Sequence, residues 1–196
     1  MTQYLKLTAD IKAAICDADF KLAPFFDGYD RVRLDEHERE LYFLEQLCNE
    51  QSDRLAEAHK LVDAFRSHLR NNAKELCDSQ LRNFHQTIED LETRIHQRRK
   101  ELEEVRQKSI RFDASIIRLR AETDRVLHAI EKAPDNAETI ILEIDSTFSA
   151  LQYLGRDLKK SLDVSSSSDI DRALKDMATS VECVRDSFDR AKKSHE

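Results

Sequence analysis

Seven histidines, four cysteines and 39 acidic side chains are the residues from which catalysis or metal binding would have to be built. None of the histidines has a glutamate three residues before it, so the Glu-x-x-His pairs of a helix-bundle carboxylate metal site are absent, as is HExxH. Two glycines cannot build a phosphate-cradling loop. Cys16, Cys48, Cys77 and Cys183 are far apart and form no CxxC pair, which speaks against a zinc site or a disulfide framework and fits a reducing compartment. Serine, histidine and aspartate are scattered over polar positions with no strand-turn-helix setting for a nucleophile. No catalytic, cofactor or metal residues are therefore expected, and the chain does not read as an enzyme.

The remaining chemistry is charge and apolar contact. Arg94, Arg98, Arg99 and Lys100, with Arg106, Lys108 and Arg111 beyond, form the one basic cluster, interrupted by Glu101, Glu103 and Glu104. It reads either as a phosphate-binding strip or as a solvated helix face with i,i+4 ion pairs. Ser165–Ser168 stands upstream of Asp169 and Asp171, as an acidophilic phosphorylation site or simply a linker.

Apolar spacing is far more regular. Leu81, Ile88, Ile95, Leu102, Ser109, Ile116, Thr123 and Ile130 form one heptad series, and Phe84, Leu91, Arg98, Val105, Phe112, Leu119, Val126 and Ala133 form the other. Held for about seven heptads, this is the seam of a helix packed along other helices. The predicted partner-binding seam is Phe84, Ile88, Leu91, Ile95, Arg98, Leu102, Val105, Phe112, Ile116, Leu119, Val126 and Ile130, continued by Ile144, Phe148 and Leu151. Gln51, Asn72, Arg98, Ser109 and Thr123 are polar seam positions, of the kind that set register and partner choice. A charge at Arg98 needs an acceptor, and a carboxylate on a different chain would supply it. With its seam uncovered, the chain alone is expected to aggregate.

Composition agrees. Of 196 residues, 36% are charged, and only two are glycine and two proline, so turn material is scarce and long helices are expected. The net charge of −7 is interleaved, which argues against nucleic-acid binding by bulk charge. No run is apolar enough to span a membrane, and Met1–Lys6 lacks the start of a signal peptide.

The expected fold is all-α, an elongated coiled coil. Residues 1–28 hold an N-terminal helix, capped by Thr8 or Asp10, and a turn at Pro24–Gly28 whose Phe25 and Phe26 form either a local plug or an exposed docking site. Residues 29–133 read as one long coiled-coil helix, on the order of 150 Å at 1.5 Å per residue. Its stripe changes phase between Asn71 and Leu81, where a supercoil adjustment or a turn near Arg70–Asn72 would fall. Pro134 stops it. Residues 134–164 form a second coiled-coil helix, opened by an Asp135–Glu138 capping box and holding Gly155 on a seam position, where a neighbouring backbone would come close. Residues 165–196 form a serine linker and a last helix, with Ser168 and Asp171 as its capping pair.

Residues 116–139, from Ile116 through Arg120, Glu122, Asp124, Ile130, Pro134, Asp135, Glu138 and Thr139, resemble the subunit 7 family of the THO complex. That family has an Arg-x-Glu-Tyr-Asp-like box, then an apolar isoleucine, a proline, and Glu-Thr opening another helix. Total length and the position of the proline also fit. Thr123 replaces the family's tyrosine, and Asn136 stands where arginine is usual. The resemblance implies a non-enzymatic nuclear subunit of a THO/TREX-like complex coupling transcription to mRNA processing and export. It implies pairing with a subunit 5-like coiled-coil protein, with any RNA contact indirect. The alternative is a scaffold of another assembly, such as a kinetochore, nuclear-pore channel or cytoskeletal rod.

Overall fold

A computed structural model describes residues 2–22, 25–132 and 137–195. Five helices account for nearly all of them: α1 (Thr2–Lys21), α2 (Arg31–Phe65), α3 (Asn71–Lys132), α4 (Ala137–Lys159) and α5 (Val164–His195). Among the described residues there is no strand, only an isolated bridge between Phe26 and Leu162. The all-α expectation holds. The helix stop at Pro134 and the Asp135 cap lie outside the described residues, as do Pro24 and Ala133.

The single helix over residues 29–133 is corrected to two. α2 ends at Phe65, a 3₁₀ turn covers Arg66–His68, and α3 starts at Asn71. No glycine is needed, because the turn is made by one extended residue, Leu69, at φ −84° and ψ 143°. The Leu69 N–H returns to the Arg66 carbonyl at 3.3 Å, and the Arg70 carbonyl accepts the N–H groups of Ala73 and Lys74 at 3.0 and 3.1 Å. Arg66 clamps the corner, reaching Asp78 at 2.7 Å and Asp63 at 3.3 Å. The turn therefore precedes Asn71, and the stretch 71–81 is helical.

The chain divides into two compact units, Met1–Pro24 with Asp35–Leu102, and Phe25–Leu34 with Glu103–Glu196. In the first, Arg66 meets Asp78 beside the turn and Glu45 meets Arg99 (2.9 Å) farther away, so α2 and α3 run antiparallel. α1 lies parallel to α3, since the Tyr4 hydroxyl donates to Gln80 Oε1 at 3.0 Å and Asp19 pairs with Arg94. It lies antiparallel to α2, with the Tyr4 ring edge-on to Phe65 at 6.2 Å and Lys21 over the Phe43 ring at 5.4 Å. Three apolar faces meet: Ile11, Ile15 and Ala18 from α1; Leu44, Leu55 and Val62 from α2; Leu81, Ile88 and Ile95 from α3. Thr8 is not a cap. It sits mid-helix, and its hydroxyl donates to the Tyr4 carbonyl at 3.0 Å.

In the second unit, Lys108 holds Asp157 at 3.0 Å, Lys159 holds Asp171 at 2.7 Å, and Arg185 holds Asp145 at 2.6 Å. These set α4 antiparallel to α3 and to α5. Asp30 caps α2, its Oδ1 accepting from the N–H groups of Val32 (2.9 Å) and Arg33 (3.2 Å). Phe26 is buried and Phe25 exposed, so the pair is half plug. The Phe26 N–H donates to the Ser161 carbonyl at 3.2 Å, and the Asp163 N–H donates to the Phe26 carbonyl at 2.9 Å. Gly155 is close-packed as its seam position implies, but by side chains rather than backbone: a Cβ there would stand 3.0 Å from Leu174 Cδ1 and 3.1 Å from Phe112 Cε2.

The serine linker is also corrected. Ser165–Ser168 is the first turn of α5, and the connection is the preceding stretch 160–163. Asp163, not Ser168, is the cap: its Oδ1 accepts the Ser166 N–H at 2.8 Å, and bonds from Ser166 hold its carboxyl below the usual range. A cap two residues before the serines lets them enter the helix, where short polar side chains are tolerated. Digestion of the folded chain with a broad-specificity protease should therefore cut first in 66–70 or 160–163. A first cut within 165–168 would contradict this placement.

The four cysteines are free thiols. Cys16 and Cys183 are exposed, while Cys48 and Cys77 are buried. Burial pushes the Cys48 thiol up to about 11, with Glu92 and Glu45 adding to it. Since the thiolate is the nucleophile, alkylation of the folded chain near neutral pH should label Cys16 and Cys183 and spare Cys48 and Cys77 until denaturant is added. Equal labelling of all four, read by mass spectrometry, would contradict the packing of the first unit.

Candidate interaction surfaces

Most of the predicted seam is covered by helices of this same chain. In the first unit Ile88, Leu91, Ile95 and Leu102 are buried against α1 and α2, and Phe84 is half-buried. In the second unit Val105, Phe112, Leu119, Val126 and Ile130 of α3 are buried, with Ile144 and Leu151 of α4, while Ile116 and Phe148 are half-buried. The heptads are therefore occupied within the chain. The correction has a simple cause: the turn at 66–70 and the return of α4 bring intramolecular helices onto a stripe that a straight rod would have left open.

Arg98 is corrected with it. Its side chain is 13% exposed and its Nη1 donates to Glu101 Oε2 at 3.0 Å, one turn along the same helix. The acceptor that a seam arginine requires is thus intramolecular, and Arg98 no longer argues for a carboxylate on another chain. Ser109 is similarly satisfied, donating to the Tyr29 carbonyl at 2.6 Å. Thr123 turns back on the Arg120 carbonyl at 2.7 Å. Gln51 differs: it is 2% exposed and neither side-chain polar atom has a partner among the described residues.

Five of the seven cations in the basic cluster resolve into separate ion pairs. Arg94 goes to Asp19, Arg98 to Glu101, Arg99 to Glu45, Arg106 to Glu103 and Lys108 to Asp157. The Arg99 guanidinium lowers the Glu45 carboxyl below its usual range. Both partners are more than a third exposed or close to it, so the pair contributes no more than about 1 kcal/mol. With five of its seven cations spread around the helix and neutralised locally, the cluster does not form the continuous strip that phosphate binding needs.

Two hollows remain. Lys21, Arg39, Glu40, Phe43 and Leu44 line a groove between α1 and α2 of the first unit. In the second unit Asp27, Asp30, Asp163 and Asp169 gather with Arg33, Ser165 and Ser166 where two helix N-termini meet. Asp30 and Asp163 serve there as helix caps. Burial raises the nearby Tyr29 phenol, helped by Asp113, Asp169 and Asp30. No group of three or more His, Cys, Asp or Glu side chains suited to a metal is found among the described residues. No described helix is long and apolar enough to cross a membrane.

Among the exposed apolar side chains that the heptad reading passed over, two stand on the outer face of α3. Ile110 and Ile117 are 57% and 68% exposed, a heptad apart. Their spacing was visible in the sequence, but the stronger series half a turn away masked it. Comparison with protein-family models, curated proteins and solved structures gives no significant match.

Proposed function

We propose that this chain is a non-enzymatic, all-helical scaffold subunit of a hetero-oligomeric assembly. The observation that carries the reading is α3, a 62-residue helix whose inner face is consumed by two sets of intrachain helices while its outer face still presents isoleucines at heptad spacing. A helix used on both faces is suited to holding other chains in register. The resemblance at residues 116–139 supports a THO/TREX-like assembly in the nucleus, coupling transcription to mRNA processing and export, with a subunit 5-like coiled-coil protein as partner. That finer part of the reading rests on the resemblance alone.

Affinity purification of the tagged chain at its natural expression level, followed by crosslinking mass spectrometry, tests the proposal. The expected result is at least one stoichiometric helical partner, in company with nuclear mRNA-export factors. A stoichiometric partner set from a kinetochore, nuclear pore or cytoskeletal rod would overturn the THO-like part. Recovery of the chain without any stoichiometric partner would overturn the scaffold reading itself.

A further inference from the structure

The outer face of α3 in the second unit carries a complete short heptad pattern. Ile110, Ala114, Ile117 and Ala121 are all exposed and stand at alternating d and a positions. Phe112 and Leu119, about half a turn round the helix, are fully buried, so the row points away from the core. The flanking e positions are Arg111, Arg118 and Arg125, and the flanking g positions are Arg106, Asp113 and Arg120. Five of these six edge residues are arginine. Arg118 is engaged by Glu122 and Arg106 by Glu103. Arg111, Arg120 and Arg125 have no acidic partner among the described residues.

An apolar a/d row whose edges are arginine at five of six positions selects its partner by charge. We infer that this row docks an amphipathic helix from another protein, with Leu or Ile at its a and d positions and Glu or Asp at its e and g positions. The inference deepens the scaffold reading and rests on it. A second copy of this chain fits poorly in either orientation. Antiparallel pairing sets the arginine e row against its own copy. Parallel pairing sets Arg106 against Arg111 and Arg120 against Arg125, with one attractive match, Asp113 to Arg118. A nucleic acid would use the arginines but leave Ile110 and Ile117 in water. The alternation of isoleucine with alanine lets a partner backbone approach over the small residues while its large side chains flank the isoleucines. The row spans about 17 Å, three turns, so the docked segment belongs to a longer helix, because isolated helices under about 12–15 residues are marginal.

The test uses the whole chain and a fluorescein-labelled peptide of about three heptads, with Leu at a and d and Glu at e and g, followed by fluorescence anisotropy. A matched peptide with Lys at e and g and a labelled oligouridine RNA are the comparisons. The expected result is binding of the Glu peptide in preference to the Lys peptide. Ile110→Ser with Ile117→Ser should weaken it by about tenfold or more, with an unchanged melting curve because both side chains are exposed. Arg111→Glu, Arg118→Glu and Arg125→Glu together should reverse the preference toward the Lys peptide. Absence of binding, equal binding of both peptides, or binding indifferent to the isoleucine changes would overturn the inference. RNA binding lost with the arginines but kept without the isoleucines would overturn it in favour of a phosphate surface. Either failure leaves the scaffold reading standing if the native purification still yields a stoichiometric partner, which would then use another face.

Discussion

Phe112→Ala should cost about 3–5 kcal/mol of stability, in the range of deleting a fully buried aromatic ring. Phe112 is 0% exposed. Its ring meets Tyr29 edge-on with centroids 6.2 Å apart, and its Cε2 reaches to 3.1 Å from where a Cβ on Gly155 would stand. Ile170 and Leu174 of α5 close on the same glycine. One substitution therefore empties the point where α3, α4, α5 and the segment before α2 converge. Gly155 has no side chain with which to refill the space, and Tyr29 is held by the Ser109 hydroxyl on its carbonyl. Urea denaturation of the variant and parent gives the cost directly. A loss under about 1 kcal/mol would mean that the second unit is not packed around this ring.

Gln51→Leu should do the opposite and raise stability by about 1–3 kcal/mol, the desolvation penalty of a polar group buried without a partner. Gln51 lies on the buried face of α2, one turn from both Cys48 and Leu55, which are themselves buried. Neither its Oε1 nor its Nε2 meets a donor or acceptor among the described residues. Leucine has similar volume and comparable helix propensity, and no amide left to satisfy. For a chain of this size each kcal/mol moves the melting temperature by about 2–4 °C, so thermal denaturation resolves the gain. A melting temperature unchanged or lowered would show that the amide is satisfied in solution, for example by a bound water, and earns its place.

The sequence was informative about helices and silent about how they fold back. Period and composition gave α1, α3, α4 and α5 their faces, because a buried helix side needs apolar residues every three or four positions whatever covers it. The same fact hides the identity of the cover. A heptad stripe facing α1, α2 or α4 of its own chain reads like one facing a second chain, which is why a seam arginine such as Arg98 reads as intermolecular although its acceptor, Glu101, is on the same helix. The turn at 66–70 left only indirect traces: the heptad series Leu44, Gln51, Ala58 and Phe65 continues only as the polar Asn72 and Ser79, and the step from Leu76 to Leu81 is five residues. Leu76 proves to be 71% exposed, while Cys77 next to it is buried. A turn made by one extended leucine between His68 and Arg70 carries no glycine or proline to announce it. At the start of α5 the four serines outweighed Asp163, although one good cap decides where a helix begins. The outer row of Ile110, Ala114, Ile117 and Ala121 was legible as spacing, but its exposure follows only from knowing which face is covered.

The central claim is that the heptad stripe of α3 is satisfied within the chain. Hydrogen exchange of the purified chain alone, at a concentration where sedimentation gives the monomer mass of 22.8 kDa, tests it most directly. The account predicts that amides from Leu81 to Ile130 are strongly protected in the monomer and lose protection together on unfolding. A monomer whose α3 amides exchange freely, or a chain protected there only when self-associated or bound to another protein, would contradict it.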